Sequence, residues 1–280
     1  MVLAILFLTA GVCPVQQQPV PSQRPAATVP GAPAPAATKP QEEDPALIRR
    51  LEEIDARAAL ITDLTADFEQ KRSTPLLRKP LVSSGHIRVR GSMTRWDTVA
   101  PGPSVLTIDP VAVKIFYPEQ RSLEIYSVSS GLARLAATPL PRLKTVREQF
   151  WISECKASDM DNVPTANTGS QVALLLLPKS DDLKKYVRQV RVLLDEPPKE
   201  EAGGRKNAGN TSDKHTYGVA RQVEVTDADG DRTVVSFKGA RINTGLTDAD
   251  LELVVPEGTR ISRPLDAAAA PNDPARKEKE

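Results

Sequence analysis

The side chains able to do chemistry are few and badly placed for it. The histidines are His86 and His215. His86 alternates outward on a strand pattern, and His215 sits in a polar stretch. Neither has a second histidine at ligating spacing, so both read as solvent-exposed rather than metal-binding. Asp227-Ala-Asp229-Gly230-Asp231 resembles the start of a calcium loop but lacks the closing glutamate. A hairpin turn explains it better. No Gly-x-Ser-x-Gly elbow, glycine-rich phosphate loop or paired-cysteine motif occurs. Nothing builds a nucleophile–base pair, so the expectation is a protein that binds rather than catalyses, with no cofactor and no metal.

Lys plus Arg is 37 and Asp plus Glu is 36, a net charge of +1. That balance argues against nucleic acid as partner, since phosphates reward a strong positive excess. From Met1 to Gln23 there is no charged residue, and Val2–Val12 is almost wholly apolar. The run is too short to span a bilayer and fits a secretory signal, although its basic start is missing. Residues 1–13 are expected to be that signal. Leu8–Cys13 resembles a lipoprotein signal, whose cysteine is acylated. Val12 stands where a small residue belongs, so Cys13 is expected to be removed or left unlipidated. Cys155 is then an unpaired thiol, and the fold is not disulfide-built.

The 25 prolines are unevenly spread. Residues 14–43 form a Pro/Ala-rich linker, expected to be an extended tether. Asp44-Pro45 is a helix start. Leu47, Leu51, Ile54, Ala58 and Ile61 then recur at helical spacing, one apolar stripe that must lie on something.

After Ile61 the period changes to two. Leu64, Ala66 and Phe68 alternate with polar residues, as do Ile87 and Val89. Val111, Val113, Ile115 and Tyr117 follow, then Leu123 and Ile125. Val190, Val192 and Leu194, then Tyr217, Val219, Val223 and Val225, make further faces. Val235 and Phe237 come after the Asp229-Gly230 turn. Ile242, Leu251, Leu253 and Val255 close the series. Short strands with turns between them and no βαβ pattern mean a mainly β, antiparallel sheet or barrel. One stretch, holding Leu132, Leu135, Leu140, Leu143, Val146 and Phe150, reads as one or two short helices between strands. Residues 196–216 have no Val, Ile, Leu, Met or aromatic residue and read as a polar insertion. Residues 266–280 read as a disordered tail. The folded unit is thus residues 44–265, one domain with a concave apolar interior.

The residues carry a family resemblance. Ile61-x2-Leu64-x-Ala66-x-Phe68-x-Gln70 is similar to the opening of LolA-like periplasmic lipoprotein carriers. Ser84-Gly85-His86-Ile87-Arg88-Val89 followed by Met93-Thr94-Arg95-Trp96 resembles their second signature. Val111–Pro118 looks like their next strand and turn. Phe237-x4-Ile242-Asn243-x2-Leu246-x4-Leu251 and Val255-Pro256-x-Gly258 look like their closing segment. The match runs from Leu47 to Pro264. The insertion at 196–216, the tether and the scarcity of aromatic residues depart from the pattern.

The resemblance implies an open antiparallel β-barrel or half-barrel covered by helices, holding acyl chains of a lipoprotein on the way to the outer membrane. Each buried CH₂ contributes about 0.8 kcal/mol, so a 16-carbon chain exposed to water costs on the order of 12 kcal/mol. An aqueous crossing therefore needs an apolar box. Expected cavity residues are Phe68, Ile87, Val89, Trp96, Val113, Ile115, Val223, Val225 and Phe237, with Leu132, Leu135 and Leu143 as a lid. In the family an arginine of the Arg-Trp strand holds the lid shut; the matching residue is Arg95. Its register stays open. A two-residue turn at Gly91-Ser92 sets Arg95 opposite Arg88 on the polar face, whereas a three-residue turn points it inward. The implied partners are acylated lipoprotein cargo, an inner-membrane lipoprotein-releasing transporter and an outer-membrane acceptor, served by a periplasmic monomer. The alternatives are a membrane-anchored acceptor, should Cys13 be lipidated, and a non-transport lipid sensor or regulator of the same fold.

Overall fold

The computed structural model describes residues 44–127, 142–161, 171–195 and 218–264. Helix α1, Pro45–Ala58, begins as its sequence demands: Asp44 accepts a hydrogen bond from the Ala46 amide at 2.9 Å, and Pro45 occupies the first turn. It buries Leu47, Leu51 and Ile54. Strands β1 (Asp63–Ser73), β2 (Leu81–Arg90), β3 (Met93–Ala100), β4 (Ser104–Ile108), β5 (Ala112–Tyr117) and β6 (Ser122–Ser127) form consecutive antiparallel neighbours. Helix α2 (Leu143–Gln149) leads into β7 (Phe150–Cys155) and β8 (Gln171–Pro178). A four-residue helix, α3 (Asp181–Lys184), precedes β9 (Val187–Asp195). Then come β10 (Ala220–Asp227), β11 (Arg232–Ile242) and β12 (Arg260–Ser262).

Among the described residues twelve strands join one sheet in the order β12-β6-β5-β4-β3-β2-β1-β11-β10-β9-β8-β7. The sheet is open, with β7 and β12 as its edges, so it is not a closed barrel. β12 runs parallel to β6, whereas the other described strand pairs are antiparallel. Twelve strands laid flat would span roughly 50 Å. Strand twist curls so wide a sheet, and its inner face is buried from β5 through β1 and β11 to β7, with α1 and α2 packed on it.

Two glycines shape the β2–β3 hairpin. Gly91, at φ +57°, makes the tight turn to Ser92. Gly85 lies where β3 comes unusually close: a Cβ there would stand 2.0 Å from the Asp97 carbonyl oxygen. The expected Asp229-Gly230 hairpin is present. The Asp227 amide donates to the Asp231 carbonyl at 3.0 Å, and the Asp231 amide donates to the Asp227 carboxylate at 2.9 Å.

Three expectations are corrected here. Leu251, Leu253 and Val255 are not a strand: Asp248–Leu251 is a single 3₁₀ turn within a strap that crosses the outer face of β2 and β3. Phe150 does not end a helix but starts β7. Ile61 lies beyond the end of α1. Strands β4, β7 and β8 carry no clean period-two signal. β8 escapes a period-two reading because Val172–Leu177 is a continuous apolar run. Val172, Leu174 and Leu176 face the main core, while Ala173 joins a separate outer cluster with Met160 and Leu193. Leu132, Leu135, Cys13, His215 and the 196–216 stretch lie outside the described residues.

Candidate functional site

The inner face is built from residues that register places in rows across the strands. Ala66 pairs with Ile87, Ile87 with Trp96, Trp96 with Leu106, and Leu106 with Ile115. The next row carries Leu64, Val89, Thr94, Ile108 and Val113. Directly paired residues in an antiparallel ladder share a face, so both rows look the same way. Phe68 and Phe237 pair on the same face. Phe68 meets Trp96 edge-on at 4.7 Å between ring centroids, and Trp96 lies 5.8 Å from Phe237. Phe68 also lies opposite Gly85, the position without a side chain.

Most residues expected to line the interior are thus brought together. Phe68, Ile87, Val89, Trp96, Val113, Ile115, Val225 and Phe237 are buried in one apolar cluster, and Val223 packs against it half-buried. Leu143 of the expected lid is fully buried in the same cluster. Leu106 and Ile108 of β4 and Leu174 and Leu176 of β8, not among the expected cavity residues, belong to it as well.

Among the described residues, α1 and α2 cover this face and are joined through one carboxylate. Asp55 of α1 accepts hydrogen bonds from the Leu143 and Lys144 amides, both at 2.7 Å. These are first-turn amides of α2, which have no partner within their own helix. Arg50 bonds Glu154 of β7 at 2.6 Å and ties the other end of α1 to the sheet. No local sequence signal links Asp55 to α2, because the contact spans 88 positions.

Arg95 is corrected. The register is that of the two-residue turn, with Arg88 opposite Arg95 and Ile87 opposite Trp96. Arg95 therefore faces outward. It donates to the Asp97 carboxylate at 2.8–3.1 Å and to the carbonyl of Glu252 in the strap. Beside it Arg88 bonds the Asp250 carbonyl, and Arg90 the Asp248 carboxylate. The arginines clamp the strap to the outside of the sheet; Arg95 does not reach the inner cover, because side chains alternate in β3 and Trp96 takes the inner position.

The strap is anchored at its start by Asp63. Its carboxylate accepts from the Thr244 amide and hydroxyl, both at 2.7 Å, and from the Gly245 amide at 3.0 Å. Burial opposes ionisation of this carboxyl, but those bonds outweigh it and hold it below its usual range. Asn243, in left-handed conformation at φ +53°, receives the Thr62 amide at 2.7 Å and donates to the Leu60 carbonyl.

At the β5–β6 side the inner face turns polar. Glu124 pairs with Ile115 and accepts the Tyr126 hydroxyl at 2.7 Å. Burial, aided by the Glu124 charge, pushes the Tyr117 hydroxyl up to about 12. The same causes, burial first, raise Tyr126. Both phenols are neutral donors. Burial also raises the Cys155 thiol, which reduces its nucleophilicity. His86 bonds Asp67 at 2.6 Å on the exposed outer face. Among the described residues no group of three or more His, Cys, Asp and Glu gathers as a metal site.

The chain is thus an open, mainly antiparallel sheet whose apolar face is covered by helices. The chain's resemblance to LolA-like carriers extends along its sequence. It is 25% identical over 222 residues to an outer-membrane lipoprotein carrier protein of Azotobacter vinelandii, covering 79% of this chain and 89% of that protein. No family model matches the chain. Among solved structures it is similar to a LolA superfamily protein from Nitrosomonas europaea, at 11% identity and TM-score 0.38, over 74% of this chain and 97% of that one. It is also similar to lipoprotein LppX from Mycobacterium tuberculosis, at 8% identity and TM-score 0.40, over 73% and 99%.

Proposed function

We propose that this chain is an exported, non-catalytic carrier that holds the acyl chains of lipoproteins against its inner face and delivers them towards the outer membrane. The observation that carries this reading is one apolar face running across ten strands, on which, among the described residues, α1 and α2 are laid and Leu183 of α3 packs. A face of that extent is far larger than a helix of three buried side chains needs for its own docking. The name of the Azotobacter relative supports the same reading. The cavity residues are those of the inner face, Phe68, Ile87, Val89, Trp96, Val113, Ile115, Val223, Val225 and Phe237. The lid is the α1–α2 pair with Leu143. Residues 44–265 act as the single carrier domain behind a 1–13 signal and a 14–43 tether. In this reading the chain works as a periplasmic monomer, loaded by an inner-membrane transporter and emptied at an outer-membrane acceptor.

The test is a native mass spectrum of protein purified from an exporting host without detergent, followed by transfer of a labelled lipoprotein to acceptor membranes. Co-purifying acyl species and transfer are expected. A spectrum free of acyl species, with no uptake from loaded vesicles, would refute the reading. Lipid binding without transfer would instead favour the sensor. A diacylglyceryl adduct on Cys13 in the intact mass would convert the carrier into the membrane-anchored acceptor.

A further inference from the structure

One end of the inner face is not apolar. Five polar side chains lie there on five neighbouring strands: Thr233 of β11, Gln70 of β1, Ser83 of β2, Thr98 of β3 and Ser104 of β4. Each is at most 4% exposed. Register puts them on the inner face. Gln70 pairs with Ser83, and Thr98 with Ser104; Thr233 lies opposite Arg72, two positions along β1 from Gln70. They sit directly beyond the apolar rows, one step past Phe68 and Trp96 along their strands. Ser83 Oγ, Ser104 Oγ and Thr233 Oγ1 have no hydrogen-bond partner. A buried hydroxyl without a partner is rare, because burial removes its water bonds and returns nothing. Three of them at one end of one apolar face require a common explanation.

We infer that this hydroxyl row is a head-group subsite that donates hydrogen bonds to the ester carbonyls of a bound diacyl amphiphile. The inference rests on the lipid-carrier reading above and specifies the ligand within it. Acyl chains lying on Ile87, Trp96, Leu106 and Ile115 would end where Thr98 and Ser104 begin. An ester carbonyl is an acceptor only, so it suits hydroxyl donors that have no other acceptor. The row itself carries no charge. Beside the row, Arg72 opposite Thr233 is paired with Asp231 at 2.9 Å, so that cation is already matched by a carboxylate, and Glu124, farther along the same face and bonded by Tyr126, further disfavours an anionic head.

The experiment compares two probes on the full chain: 1,2-dipalmitoylglycerol and its dihexadecyl ether analogue, which has the same chains and no carbonyl. Affinities are measured by displacement of a fluorescent acyl probe. The parent protein should bind the ester about tenfold more tightly, the scale of one to two net hydrogen bonds. In Ser83→Ala/Ser104→Ala the preference should fall to about twofold or less, with ether binding unchanged. The melting temperature of the ligand-free variant should not drop, since it loses hydroxyls that bond nothing. Equal binding of ester and ether by the parent overturns this inference alone. So does an undiminished preference in the variant, or a clear fall in its ligand-free melting temperature. Failure to bind either lipid overturns the carrier reading and this inference with it.

Discussion

Asp55→Ala should release α2 from α1 without unfolding the sheet. The carboxylate satisfies two amides at 2.7 Å, those of Leu143 and Lys144. Loss of a helix cap costs about 0.5–2 kcal/mol, and charged hydrogen bonds lie at the upper end. With both amides orphaned, the α2 docking equilibrium should weaken by roughly 2 kcal/mol, which is about a 30-fold rise in the open population. Native-state hydrogen exchange reads this directly. Amides of Arg147–Gln149 should exchange about 30-fold faster, while those of Phe68 and Gln70 in the central strand β1 keep their protection. Uptake of a fluorescent acyl probe should quicken in parallel if the pair is the lid. Arg50→Ala is the control: its bond to Glu154 lies between two part-exposed side chains and should be worth at most about 1 kcal/mol. Unchanged exchange in α2 would refute the cap argument. Equal acceleration in β1 would show that Asp55 supports the whole domain rather than the cover.

Arg95→Leu should detach the strap rather than the cover. It removes the bonds to Asp97 and the Glu252 carbonyl, so stability should fall by about 1–3 kcal/mol in a denaturant titration, with lipoprotein handover intact. Slowed handover at unchanged stability would restore Arg95 to the lid. Gly85→Ala should destabilise by several kcal/mol, on the order of 3 or more, because the new methyl would sit 2.0 Å from a backbone carbonyl; a variant as stable as the parent would mean that β2 and β3 can move apart freely. Asp63 has a folded pKa below its unfolded value, so its contribution is complete above about pH 4 and is lost as pH falls through the lower, folded value. Asp63→Asn should therefore flatten the acid side of the stability–pH curve, and an equally steep acid limb in the variant would refute that assignment.

The inner-facing half of the sheet was legible because each strand alternates. Ile87 and Val89 between His86, Arg88 and Arg90 state their face whatever lies on it. The cap at Asp44-Pro45 and the turn at Asp229-Gly230 were legible for a similar reason: the interaction is made within a few residues. What separates in sequence was not. The register of β3 depends on whether the hairpin uses two turn residues or three, and packing of Trp96 against Phe68 and Phe237 selects the first. That choice alone sends Arg95 outward. β8 hid because its outer positions, Ala173, Leu175 and Leu177, are as apolar as its inner ones, although only Ala173 packs with Met160 and Leu193 there, so no alternation survives to be read. The Asp55 bridge, the strap over β2 and β3, and the meeting of Ser83, Ser104 and Thr233 join residues far apart along the chain. Local patterning records which face of an element is wet, but which distant groups share that face follows only from how the sheet is ordered and curled.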